Sequence, residues 1–424
     1  MLQGSISVAS DKSITHRAIM FSSLAKGTSV IENPLMGDDN LSTVAAFEAM
    51  GVTVEKFEKK LVIHSPGSHA LHEPKDFLDF GNSGTTTRLM LGILSGLPFF
   101  CAITGDQYLR KRPMMRVVAP LRQMGAHIDG REGGKLLPLS IRGGALVGQT
   151  FTTQVASAQV KSALLLAGAF AKGTTVITEP EKSRDHTERM LPFYGVPVEV
   201  VGNTCSITGG AEFRPANITV PGDISSAAFF LVAATVTPGS SITIENVGVN
   251  PSRTGVIEAL HAMNAAVVLR NTRDVCGEPV ADLEVRYTDQ LQAVEIGGSL
   301  IPRLIDEIPA LAVAMSFARG TSVVRDAQEL RVKETDRIKT TLSNLQALGV
   351  QCEEREDGFA IHGNPDWKPS GTIQLDAYGD HRIGMSALLF KLLHPHAIRV
   401  RDTECISVSF PNFETLMQSL QSKG

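Results

Sequence analysis

A chain of 424 residues is longer than one hydrophobic core usually serves, so two domains or a large repeat architecture is expected. Its 43% apolar and 20% charged residues are those of a packed globular protein, and a formal net charge of -4 provides no basic field for nucleic acid. Anionic ligands therefore have to be held locally, nucleic acid is not an expected partner, and apolar stretches such as 227–236 are too short to span a membrane. Cys101, Cys205, Cys276, Cys352 and Cys405 lie far apart with no C-x-x-C pair, which argues for reduced thiols in a cytoplasmic protein and against disulfides or a zinc site. The first dozen residues hold no apolar core of signal-peptide length, so secretion is not expected.

Along the chain one phrase recurs six times: a polar, cap-rich start, an apolar helical run, often a glycine, and a short β-branched strand. The copies span 10–32, 82–103, 157–178, 223–245, 306–325 and 380–401. Short strands precede the helix at 6–8, 77–80, 218–220 and 373–376, and others follow it at 30–31, 176–177, 242–244 and 323–324. Amphipathic second helices come next, at 41–50, 115–124, 187–193, 255–263 and 336–348, and two further strands close the unit, as at 52–54 and 61–63. The resulting order is β-α-β-α-β-β.

The first helices are apolar nearly all round, which predicts burial, and alanine-rich stretches at 163–171, 227–234 and 310–318 permit close packing about a pseudo-threefold axis in each half. The second helices are then expected outside. The sixth unit ends with its second helix, 412–420, so its closing strands have to come from elsewhere. The N-terminal segment is expected to pack with the C-terminal half, with the chain crossing between halves twice.

Charge gathers at the starts of the first helices. They read Ser10-Asp11-Lys12-Ser13 with Arg17, Asn82-Ser83-Gly84-Thr85 with Arg88, Ser157-Ala158-Gln159 with Lys161, Asp223 to Ser226, Arg303 with Asp306-Glu307, and Asp380-His381-Arg382. Serine, asparagine and aspartate there are ordinarily N-caps. Lysine and arginine oppose the helix dipole and call for a compensating anion, so Lys12, Arg17 and Arg382 are the stronger signals. Two further charged runs, Lys111-Arg112-Pro113 and 331–337, sit beside second-helix starts. His64, His69 and His72 fall in a Gly/Pro-bearing connection and are read as solvated, so no metal site is expected; no Walker loop or Rossmann fingerprint is present.

Asp11-Lys12-Ser13 with His16-Arg17, Gly81-Asn82-Ser83-Gly84-Thr85 with Arg88, Lys111-Arg112-Pro113-Met114, Lys333-Glu334-Thr335-Asp336-Arg337 and Asp380-His381-Arg382 resemble, in order, the signature segments of the EPSP synthase family of enolpyruvyl transferases. The resemblance covers essentially the whole chain. It implies an inside-out α/β barrel fold: two similar domains of three β-α-β-α-β-β units, 13–222 and 1–12 plus 223–424, with the active site in the cleft between them. The implied reaction transfers the enolpyruvyl group of phosphoenolpyruvate to the 5-hydroxyl of shikimate 3-phosphate, in a cytoplasmic monomer with no cofactor or metal.

The resemblance also implies roles. Lys12, Ser13, Arg17, Ser157, Gln159, Asp306 and Lys333 match contacts to shikimate 3-phosphate, and Lys12, Gly84, Arg112, Arg337 and Arg382 match contacts to phosphoenolpyruvate. Asp306 is the expected base for the 5-hydroxyl and Glu334 the expected proton donor to the methylene carbon, with Lys12 touching both substrates. Such roles suit the chemistry, which needs a proton for C3, a base, and cations for two phosphates and two carboxylates. A planar guanidinium can bind both oxygens of a carboxylate.

Some positions depart from the family pattern. Ala9-Ser10 stands where many relatives have Pro-Gly, Val408 stands where some carry a phosphoenolpyruvate-binding lysine, and a serine contact known near 180–187 has no clear match, Arg184 being the expected substitute. Two competing readings remain. A sister transferase acting on UDP-N-acetylglucosamine usually carries a reactive cysteine near Arg112, and 109–118 has none. A non-catalytic repeat scaffold needs no charges at helix starts.

Overall fold

The computed structural model describes residues 1–421, except that nothing is described of the Val408 side chain. The chain divides into two compact units. Ser10–Val220 with Val275–Glu278 form the N-terminal unit; Met1–Ala9, Pro221–Asp274 and the chain from Pro279 onward form the C-terminal unit. Both division points differ slightly from the expected 12/13 and 222/223. Asp11 accepts a hydrogen bond from Ile14 N at 2.8 Å and so caps helix Lys12–Leu24; a cap travels with the helix it closes. Residues 275–278, the tip of the hairpin Ala266–Val275/Glu278–Arg286, count with the N-terminal unit, where buried Glu278 bonds His186 Nδ1 at 2.7 Å.

Five four-stranded sheets share one topology. In three of them the strand before the first helix runs parallel to the strand after it, which pairs antiparallel with the unit's last strand, which in turn pairs antiparallel with the third; in the other two the parallel partner comes from a different repeat. Alternation creates these strands: in Leu136–Arg142 every second residue is buried, the pattern of a sheet with one face on the core.

The first and fourth repeats depart from the expected order. Gln3–Ser7 precedes the first helix yet pairs in parallel with Ser241–Gly248, completing the sheet of the fourth repeat. Ile218–Thr219 precedes the fourth helix yet pairs in parallel with Gly27–Glu32, completing the sheet of the first. The two strands are exchanged, so neither serves the helix that follows it in sequence. The sixth repeat also differs from expectation. Its sheet holds only Ile373–Asp376 and Ile398–Arg401 among the described residues, and the N-terminal strand does not extend it. Beyond that sheet, helix Phe413–Ser419 packs Phe413 edge-on against Phe229 and Phe230, with centroids 6.0 and 5.4 Å apart.

The first helices are Lys12–Leu24, Gly84–Gly96, Ala158–Phe170, Ile224–Val236, Ile308–Ser316 and His381–Leu393, and nearly all their residues are buried. In the N-terminal unit Gly84–Gly96 and Ala158–Phe170 touch so closely that a Cβ on Gly92 would fall 2.9 Å from Ala163 Cα. Any larger residue at Gly92 forces these helices apart. In the C-terminal unit Ile308–Ser316 packs against both Ile224–Val236 and His381–Leu393. Second helices are found at Asp38–Ala49, Met115–Gln123, His186–Met190, Gly255–Ala262, Arg337–Ala347 and Phe413–Ser419, within a few residues of expectation.

Candidate active site

Capping sorts the polar residues at the first-helix starts. Asp11, Ser83, Asp223 and Asp380 each accept a hydrogen bond from a backbone N–H of the first turn. Their position is thereby explained as local structure. Ser157 stands at its N-cap without making a side-chain cap bond, and Asp306 precedes the uncapped N-cap Glu307 of Ile308–Ser316. Side chains at a helix start that do not cap are available for other chemistry.

In the N-terminal unit, Lys12 opens its helix and pairs with Asp39 at 3.1 Å. Arg17, one turn further on, is only 3% exposed. Its Nε donates to Thr187 Oγ1 at 2.7 Å, Nη1 to the Ser13 carbonyl at 3.0 Å and Nη2 to Ser162 Oγ at 2.8 Å. All three acceptors are neutral. Burial pushes the Arg17 guanidinium down to about 10, with Glu188, Asp11 and Glu278 opposing the shift through space, so it stays charged at neutral pH.

Hydroxyls also tie three helices together. His16 Nδ1 bonds Thr43 Oγ1 at 2.8 Å, Thr43 bonds Thr86 at 2.8 Å, and Thr86 bonds the Ser83 hydroxyl at 2.7 Å. Burial drives the His16 imidazole down to about 3, which keeps it neutral within this network.

Gly84 opens helix Gly84–Gly96 beside two guanidinium groups: a Cβ there would lie 3.0 Å from Arg112 Nη1 and 3.1 Å from Arg88 Nη1. A larger residue there would make both arginines give way by a few tenths of an ångström. Arg88 Nη1 donates to Gln159 Oε1 at 2.6 Å, and Gln159 Nε2 donates to Thr85 Oγ1 at 3.0 Å. Gly84, Arg88, Arg112 and Gln159 therefore form one group, and Lys12 with Asp39 adjoins it where Thr86 Oγ1 donates to the Asp39 carbonyl at 3.3 Å.

Lys161 behaves differently from the other helix-start cations. It is buried between Glu179 and Glu188, 2.7 Å from each. Glu179 also accepts from Ser157 N at 3.2 Å and Ser183 N at 3.3 Å, so the ion cluster anchors both the Ser157 turn and the 179–185 loop. That loop carries Arg184, and it contains a serine that sequence reasoning passed over: Ser183 is 3% exposed and its hydroxyl has no hydrogen-bond partner among the described residues.

The C-terminal unit gathers carboxylates instead. Arg337, 1% exposed, reaches three of them. Nε donates to Asp380 at 2.8 Å, Nη1 to Asp306 at 3.1 Å and Nη2 to Glu334 at 2.5 Å. Lys333 also pairs with Asp306 Oδ1 at 3.1 Å, and Arg382 Nη1 donates to the Asp306 carbonyl at 3.0 Å and lies 3.8 Å from Glu307. Burial alone raises the Asp380 carboxyl, and the ion pair with Arg337 overrides it, holding that group below the usual carboxylate range. The Arg337 pKa rises for the same reason, its three carboxylates outweighing burial.

Asp306 and Glu334 thus meet around the Arg337 guanidinium in one unit, with Lys333 and Arg382 reaching Asp306, and in the other Lys12, Ser13, Arg17, Gly84, Ser157 and Gln159 lie at three neighbouring helix starts with Arg112 beside Gly84. Sequence reasoning missed Thr187, Ser162, Asp39, Glu179 and Glu188, which hold the cations in place. Only the density of charge and hydroxyls over 183–189 pointed toward that segment. Chemically, the N-terminal set presents cations and hydroxyls at helix starts, an arrangement able to hold an anion, and the C-terminal set presents carboxylates beside fixed cations, an arrangement suited to proton transfer.

Comparison with known proteins gives the fold first and then the family. The fold matches the enolpyruvyl transferase NikO of Streptomyces tendae with a TM-score of 0.79 at 16% identity, covering 99% of this chain and 95% of that one. The EPSP synthase of Acinetobacter baumannii matches with a TM-score of 0.87 at 42% identity, over 99% of this chain and 96% of the other. The sequence pattern of the EPSP synthase (3-phosphoshikimate 1-carboxyvinyltransferase) family matches residues 1–417, and the chain belongs to that family. Proteins named 3-phosphoshikimate 1-carboxyvinyltransferase from Geotalea daltonii and Bacillus subtilis are 52% and 49% identical to it, over 99% and 100% of this chain and 97% and 98% of theirs.

Proposed function

We propose that this chain transfers the enolpyruvyl group of phosphoenolpyruvate to the 5-hydroxyl of shikimate 3-phosphate, releasing phosphate. The observation that carries the reading is the unequal pairing of buried charge: Arg17 hydrogen-bonds neutral acceptors, with Glu188, Asp11 and Glu278 acting only through space, whereas Asp306 and Glu334 share Arg337. A buried cation without a carboxylate partner is costly unless an anion arrives. Shikimate 3-phosphate brings such anions, and Ser13, Arg17, Ser157, Gln159 and Lys333 are its proposed contacts, with Ser183 and Arg184 adding donors.

Phosphoenolpyruvate is assigned to Lys12, Gly84, Arg112, Arg337 and Arg382. Arg337 already spends its donors on carboxylates, so an incoming carboxylate competes with Glu334 for Nη2. Glu334 delivers a proton to C3 of phosphoenolpyruvate, and Asp306 removes the proton of the 5-hydroxyl as its oxygen bonds to C2. The tetrahedral intermediate then loses phosphate and a proton from C3 to restore the double bond. The reading carries with it a cytoplasmic monomer. No helix among the described residues is long and apolar enough to cross a membrane.

Phosphate release from purified protein tests the proposal. It is expected only when both substrates are present, and release that ignores shikimate 3-phosphate, or no release at all, overturns it.

A further inference from the structure

A guanidinium buried as deeply as that of Arg17 is ordinarily held by carboxylates, as Arg337 is. Arg17 is held by two hydroxyls and the Ser13 carbonyl. Thr187 Oγ1 takes the hydrogen of Nε and Ser162 Oγ that of Nη2, at 2.7 and 2.8 Å, and the two hydroxyl oxygens bond each other at 2.7 Å. Arg17, Thr187 and Ser162 thus close a ring of hydrogen bonds on one edge of the guanidinium. The acceptors occupy the places that the two oxygens of a carboxylate take in a forked arginine pair, yet carry no charge. Both residues are fully buried, and Thr187 is β-branched, which restricts its side-chain rotation.

We propose that the Thr187–Ser162 hydroxyl pair is a neutral fork that positions Arg17 for an anionic group of shikimate 3-phosphate while leaving the cation's charge for that ligand. This rests on the function proposed above. A carboxylate at the same place orients Arg17 equally well and cancels the charge the ligand needs; an apolar residue leaves the charge and loses the orientation. Thr187 and Ser162 are accordingly positioning residues, acting on substrate through Arg17. Lys161 with Glu179 and Glu188 supports the same segment, since Glu188 follows Thr187 directly and Lys161 precedes Ser162.

The test is steady-state kinetics and calorimetric binding of shikimate 3-phosphate for the parent, Thr187→Val, Thr187→Ser and Thr187→Asp, with thermal unfolding of each. Loss of a hydrogen bond to a charged group predicts that Thr187→Val raises the KM and Kd for shikimate 3-phosphate by about 10- to 100-fold. The KM for phosphoenolpyruvate, measured at saturating shikimate 3-phosphate, stays near that of the parent. Thr187→Ser restores the parent values.

Thr187→Asp separates positioning from mere structural support. It supplies an acceptor and a countercharge, so it is expected to keep the fold and still weaken shikimate 3-phosphate binding by at least about tenfold, the scale of a charge-assisted bond. Unchanged shikimate 3-phosphate affinity in Thr187→Val, or parent-like affinity in Thr187→Asp, overturns the fork while leaving the proposed reaction standing. A parent that neither binds shikimate 3-phosphate nor turns over overturns both. If Thr187→Val does not fold, the serine and aspartate variants decide between the two outcomes.

Discussion

Arg17 in the N-terminal unit and Arg337 in the C-terminal unit are the same side chain in opposite surroundings. Both are almost completely inaccessible, at 3% and 1% exposed, and both lie near a helix start. Arg337 is gripped by Asp306, Glu334 and Asp380; Arg17 meets two hydroxyls and a carbonyl. The first environment raises the guanidinium pKa and the second lowers it. A buried arginine is therefore not one kind of evidence. Surrounded by carboxylates it organises acidic groups, and surrounded by neutral acceptors it is a stored demand for an anion.

Stability measurements probe this contrast most strongly. Arg337→Met strands three carboxylates, and breaking a buried pair in this way costs about 3–5 kcal/mol. Arg17→Met removes a cation that hydrogen-bonds no carboxylate among the described residues, so it is expected to leave denaturant-unfolding stability within about 1 kcal/mol of the parent, its neutral hydrogen bonds being offset by relief of desolvation. Equal destabilisation by the two variants erases the distinction.

Turnover comes next in size. Lys12→Met is expected to lower kcat/KM by more than about a hundredfold, the scale of losing a strong electrostatic donor. A well-folded variant with near-parent rate removes Lys12 from the chemistry. Asp306→Ala is expected to lower kcat by about a hundredfold, as for a general base, while shikimate 3-phosphate still binds. Asp306 also pairs with Lys333 and Arg337, so a loss of stability with kcat preserved points to those ion pairs, and away from proton transfer.

The remaining effect is one of pH. His16 in the folded protein titrates near 3, below its ordinary 6.5, so between those values the unfolded chain binds a proton that the native state refuses. Stability is then lost as pH falls from 6.5 toward 3, with a limiting slope of about 1.4 kcal/mol per pH unit from this residue. Replacing it by glutamine is expected to flatten the acid limb of a stability–pH curve by that amount. An unchanged limb shows that His16 is protonated in the native state, contrary to its place in the neutral hydroxyl chain with Thr43, Thr86 and Ser83.

Much of this was legible in the residues. The first helices announce themselves by apolar runs with polar starts, because a helix buried all round has only its ends to solvate or cap. The cations at those starts stand out because they oppose the dipole, which singles out Lys12, Arg17 and Arg382 as the stronger signals. Lys161 carries the same signal and proved to be an internal ion pair, since its partners Glu179 and Glu188 come from later in the chain. Local electrostatics marks a cation as needing a partner without saying whether protein or ligand supplies it.

Length, composition and the sixfold phrase by themselves determined a two-part α/β protein with buried first helices and charge concentrated at their starts, because periodicity and capping act over a few residues and are written locally. Only the tertiary structure decided which sheet receives Gln3–Ser7 and which receives Ile218–Thr219, since each is a short strand whose own residues do not specify the neighbour it meets. It also decided that Thr187 and Ser162 face Arg17 while Asp306, Glu334 and Asp380 face Arg337. Those assemblies join residues as many as 170 positions apart, and a hydrogen bond at such separation depends on how whole elements pack, which no local pattern encodes.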